Sequence, residues 1–103
     1  MPTKEINELC SQFVAQLSPI KIYLFGSYAE GMNHDQSDLD FYIVVKDDSG
    51  NLADLTYKAY RSIRQLKRRS VDIIVGTESL FEERCAMPTI ESEVARKGVL
   101  LYG

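Results

Sequence analysis

Long apolar runs are missing from this sequence: none approaches the ~20 residues that a membrane-crossing helix needs. The first ten residues, MPTKEINELC, are too charged for a signal peptide, so a cytoplasmic location with no membrane partner is expected. Cysteine is scarce. Cys10 and Cys85 stand far apart, in no CxxC pair and no Cys/His cluster, which leaves two free core thiols as the expectation. The lone histidine, His34, sits in a polar stretch and reads as an ordinary surface residue. A large basic excess is absent as well. The formal net charge of −3 argues against coating of nucleic acid, and no direct nucleic-acid binding is expected. No repeat, low-complexity tract or linker divides the 103 residues. They are expected to form one domain over 1–103, with room for a single core and none for an added substrate-binding domain.

What is present is alternation of helical and extended patterns. Ile6, Leu9, Cys10, Phe13, Val14 and Leu17 form one apolar stripe at helical spacing, with Thr3 as its N-cap and Ser18-Pro19 as its end. A first strand is expected at about 20–25 and a second at about 39–45, the latter apolar throughout after Asp40 and so central and covered on both faces. Asp47 and Asp48 belong to a polar turn and read as solvated turn formers. A helix is expected from Leu52 to about Leu66, with Leu52, Leu55, Ala59, Ile63 and Leu66 inward and Lys58, Arg61, Arg64 and Arg68 on a basic face. Residues 70–75 read as a third strand, Thr77 as a helix cap, Pro88-Thr89 as the start of a last helix, Gly98 as its C′ stop, and 99–102 as a final extended segment. The fold class is therefore α/β or α+β. A small mixed sheet flanked by helices is expected, because the link between the first two strands is short for a parallel crossover and long for a tight hairpin.

Chemistry concentrates in residues 21–45. Asp38 and Asp40 open the second strand, and the period of two places them on one face with Cα atoms about 6.5–7 Å apart. Two like charges there ask for a divalent cation with hard oxygen ligands, such as Mg²⁺. If the third strand lies beside the second, Asp72 reaches the same face, and three carboxylates suit two ions that clamp an in-line phosphoryl displacement, with Asp72 also serving as general base. Gly26, directly after a strand, lets backbone approach phosphate oxygens, and Ser27 adds a hydroxyl donor.

Gly26-Ser27-Tyr28-Ala29-Glu30-Gly31, then Ser37-Asp38-Leu39-Asp40, then Val71-Asp72 resemble the GSxxxG, SDxD and third-Asp signature of the nucleotidyltransferase superfamily that includes DNA polymerase beta. Chain length and the closing IESEVARKGVLLY are most similar to the minimal nucleotidyltransferases encoded beside HEPN-domain proteins. The resemblance implies a mixed sheet with helices, two Mg²⁺ with a nucleoside triphosphate (ATP favoured), and transfer of a nucleoside monophosphate with release of pyrophosphate. It implies Gly26, Ser27 and Ser37 as nucleotide-binding and Asp38, Asp40 and Asp72 as metal-binding and catalytic. It further implies an antitoxin that nucleotidylates a HEPN toxin partner, within a homo- or hetero-oligomer. Many relatives carry a basic residue where this chain has Glu30, and Lys21 or the Arg61–Arg69 region stands as compensation. The alternative is an antitoxin that neutralises its partner by contact alone, since an acidic surface suits a basic ribonuclease.

Overall fold

The computed structural model describes residues 3–31, 38–66 and 68–103. Helix α1 (Lys4–Leu17) begins where Thr3 Oγ1 accepts the Ile6 N–H at 3.2 Å. It buries Ile6, Leu9, Cys10, Phe13 and Leu17 and stops at Ser18, in the left-handed region with φ 48°, ahead of Pro19. Strand β1 (Lys21–Phe25) runs into a four-residue helix α2 (Gly26–Ala29). Strand β2 (Leu39–Val45) returns antiparallel to β1 and sets Asp40 opposite Phe25.

Helix α3 (Leu52–Ser62) is capped by Asn51, whose side chain accepts the Asp54 N–H. It ends four residues short of the expected Leu66. The chain tightens there, with Ile63 N–H donating to the Tyr60 carbonyl, Arg64 to Arg61 and Leu66 to Ile63, and this keeps Ile63 buried and Leu66 against the core. Strand β3 (Val71–Thr77) runs parallel to β2 with seven matched positions, Leu39 opposite Val71 through Val45 opposite Thr77. It outruns the expected span by two residues because Gly76 and Thr77 continue the ladder beside Val44 and Val45.

Helices α4 (Glu78–Cys85) and α5 (Ile90–Lys97) are capped by Thr77 and Thr89, whose hydroxyls accept the Leu80 and Ser92 N–H groups. Strand β4 (Val99–Tyr102) adds to β1 antiparallel, so the sheet order is β3-β2-β1-β4 and the sheet is mixed. Gly98 does not stop α5 in the left-handed region as the sequence suggests; its φ is −73°. Space is the reason for glycine: a methyl there would press on the Val94 and Leu24 carbonyl oxygens. Asp47 is the exposed turn residue expected, with an added role. Although exposed, it accepts hydrogen bonds from the N–H and hydroxyl of Ser79, and these hold its carboxyl below the usual range and tie the turn to α4.

The period of two sorts β2 between two cores. Leu39, Phe41, Ile43 and Val45 face α1 and α3, where Phe13 meets Phe41 edge to face at 5.1 Å. Tyr42 and Val44 face the other way with Phe25, Phe81 of α4 and Val94 of α5. Each such fully buried side chain stabilises by about 1.5–3 kcal/mol, so the central strand is the least adjustable element of the fold. Cys10 and Cys85 are free, the first buried and the second partly exposed.

Candidate active site

Asp40 shares the face of Tyr42 and Val44, at the start of β2, and is partly buried. In the parallel ladder its partner is Asp72, and the strands are already zipped one position earlier by the Leu39 N–H donating to the Ser70 carbonyl at 3.0 Å. In-register partners on adjacent strands project to the same face about 4.8 Å apart. The two carboxyls are in hydrogen-bond contact, and Asp38, two residues before Asp40, lies near enough to add its charge. Burial first, then the charges of Asp72 and Asp38 and the hydrogen bond to Asp72, push Asp40 up to about 6. Asp38 and Asp72 are themselves exposed. Among the described residues no three metal-ligating side chains are gathered closely enough to enclose an ion by themselves.

Gly26 stands beside Asp40 in a conformation, φ 79°, that side chains rarely adopt. A methyl built on it would run into Asp40 Oδ2. The turn and the acid are thus packed to the limit that glycine allows. Ser27 follows, exposed at the start of α2. Ser37 and His34 lie outside the described residues.

Three features of the surroundings have no simple signature in the sequence. Glu91 of α5 is only 5% exposed and accepts hydrogen bonds from the Tyr42 hydroxyl at 2.8 Å and from Arg84 Nε at 3.0 Å. Burial alone would raise its carboxyl, but the bonds from Arg84 and Tyr42 outweigh that and hold it below the usual range; the same burial and bond push the Tyr42 hydroxyl up. An acid in the first turn of a helix reads from sequence as a solvated, dipole-favoured residue, so the pattern hid its burial. Arg69 bridges to Glu5 at 3.0 Å and places its guanidinium 5.7 Å from the ring centre of Tyr28 in α2. Glu30, at the end of α2, pairs with Lys97 at 3.8 Å. The expected compensating region divides: Arg69 reaches α2, whereas Arg61 and Arg64 line an open cleft of about 430 Å³ with Gln12 and Gln65, on the α1 and α3 side of the sheet.

The nucleotidyltransferase domain family model matches residues 4–101. No curated protein sequence matches the chain. Among solved structures, a nucleotidyltransferase from Sulfolobus solfataricus is similar at 28% identity and a TM-score of 0.63, covering 94% of this chain and 76% of that one. A toxin–antitoxin with AMP-PNP is similar at 23% identity and a TM-score of 0.60, covering 98% and 74%. A mutant of the MntA–HpeT toxin–antitoxin is similar at 21% identity and a TM-score of 0.59, with the same coverage. The last two, below a quarter identity, bear on the fold. From the match over nearly its whole length, the chain belongs to the nucleotidyltransferase domain family.

Proposed function

We propose that the chain transfers a nucleoside monophosphate, AMP before the others, from a nucleoside triphosphate to a HEPN-domain toxin partner and thereby serves as its antitoxin. The pairing of Asp40 with Asp72 across β2 and β3, beside Gly26, is the observation that carries this reading. The donors fit magnesium. They are hard carboxylate oxygens, and the burial and neighbouring acid charges that make Asp40 hold a proton up to about pH 6 are offset when a divalent cation takes the proton's place. Asp38 and Asp40 would hold the ions with the triphosphate, and Asp72 the ion nearer the acceptor. Magnesium, when bound there, would supply neutralisation of the phosphate charge and polarisation of the phosphorus.

The chain's own residues supply position and proton transfer. Gly26 lets the backbone come within reach of phosphate oxygens, and Ser27 donates its hydroxyl hydrogen to one of them. Asp72 accepts the proton of the acceptor hydroxyl as its oxygen bonds to the α-phosphorus, the bond to the bridging oxygen breaks, and pyrophosphate leaves. The toxin–antitoxin structures of similar fold, one of them with AMP-PNP, support a toxin as partner and an adenine nucleotide as donor.

Incubation with Mg²⁺, α-labelled nucleotides and the protein encoded beside this chain tests the reading. Label is expected on that neighbour from ATP, and its absence with all four nucleotides overturns the proposal. An Asp38→Ala, Asp40→Ala double variant should lose both labelling and protection of cells. Protection equal to the parent's would replace transfer with blocking by contact.

A further inference from the structure

The mouth that the proposed function assigns to a polyphosphate already gathers Asp38, Asp40 and Asp72, and Glu30 closes the adjoining α2 with its N–H donating to the Gly26 carbonyl at 3.2 Å. A polyanion entering there needs a protein cation as well as metal. Lys97 is in position. It ends α5, the helix that packs through Val94 on the Phe25 and Tyr42 face, which is the face of Asp40. Gly98, the next residue, abuts the Leu24 carbonyl, to which a methyl added at Gly98 would come within 3.2 Å, and Val99 pairs with Leu24. The last turn of α5 therefore lies over the end of β1, immediately ahead of the Gly26 turn, and the 3.8 Å contact with Glu30 brings the Lys97 ammonium across to α2.

Arg69 also touches α2, but from the other side. It is bound to Glu5, and the Tyr28 ring beneath it belongs to the core of the opposite sheet face. The Lys97 pair is looser: its side chain is 51% exposed, and an ion pair so open to water separates at little cost.

We infer that Lys97 is a nucleotide-contacting residue, held over the Gly26 turn by Glu30 in the free chain and turned onto the polyphosphate when nucleotide enters. This rests on the nucleotide-binding reading above. It also assigns Glu30 a use: the carboxylate keeps the cation at the mouth.

Calorimetric titration of ATP with Mg²⁺ into the whole chain tests it. Lys97→Ala should weaken binding roughly tenfold or more, the usual effect of losing a charge-assisted contact, whereas Arg96→Ala, an exposed neighbour of the same charge, should change it less than twofold. Adding Glu30→Lys to Lys97→Ala moves a cation to the other end of the pair and should restore most of the affinity. Equal binding by Lys97→Ala and the parent overturns the inference and leaves the function standing. An equal loss in Arg96→Ala overturns it too, as a diffuse charge effect. A parent chain that takes up no nucleotide with Mg²⁺ overturns both.

Discussion

Tyr42 donates its hydroxyl hydrogen to Glu91 Oε2 at 2.8 Å across a sequence separation of 49 residues, and both side chains are shut off from water. Arg84 Nε completes the carboxylate at 3.0 Å, so α4, α5 and β2 are pinned together two residues from Asp40. Removing one partner of such a group strands the others. Glu91→Ala is expected to cost about 3 kcal/mol, because it leaves the buried Tyr42 hydroxyl without an acceptor and removes the tie to the half-exposed Arg84, and Tyr42→Phe about 1–2 kcal/mol. Urea unfolding of the variants checks the order. Because the Glu91 carboxyl is held below its ordinary 4.5, its contribution is present above that pH and is lost as pH falls through the folded value. Glu91→Gln should flatten this acid limb.

Asp40 carries the opposite sign. Its carboxyl is raised from 3.8 to about 6, so the folded chain holds the proton more tightly than the unfolded one. Its contribution is full below about pH 4 and is lost as pH rises through about 6. In metal-free buffer Asp40→Asn should therefore be more stable than the parent at pH 7, by about 1 kcal/mol once partial exposure is allowed for. The two should converge near pH 4, and thermal melts across that range decide it. The same variant should lose nucleotide transfer, a trade of function for stability.

Gly26→Ala faces two obstacles at once, a backbone in the left-handed region and a methyl set against Asp40 Oδ2. A loss of about 1–3 kcal/mol is expected from the conformation and contact together. Nucleotide binding should suffer beyond that, since relief of the contact moves either the turn or the acid. Comparison with Gly50→Ala, where φ is 123° but no atom lies within 4 Å, separates backbone strain from crowding at the site.

Gly98→Ala tests a different use of glycine. Its φ of −73° suits any residue, so only the contacts with the Val94 and Leu24 carbonyls oppose a methyl. A cost of about 1–3 kcal/mol is expected, the usual range for overpacking. A neutral result in denaturant unfolding would mean that α5 slides without penalty.

Much of this molecule could be read along the chain because its signals are local. Thr3, Thr77 and Thr89 stand before helical stripes, and each hydroxyl accepts the N–H three residues on. The apolar run after Asp40 marked a strand covered on both sides, and β2 is interior in the sheet. The spacing of Asp38 and Asp40 predicts one shared face by strand alternation; the ladder begins at Leu39, and Asp38, just ahead of it, lies near enough to Asp40 to add its charge. Local rules reach less far where a residue's role is set by a distant neighbour. Gly98 ends α5, but the need for glycine comes from the Leu24 carbonyl of another element; Asp47 is an exposed turn residue, but it also accepts from Ser79; and nothing local marks Glu91 as buried.

By itself the sequence determined the helix caps and the strand faces, since each follows from bond geometry within a few residues. Only the tertiary structure decided that β3 lies parallel to β2 with Asp72 beside Asp40, that Glu91 is buried under Tyr42, and that Lys97 reaches Glu30. Those depend on register and packing between segments 30 to 70 residues apart, where the energy of a contact exists only once the chain has closed on itself.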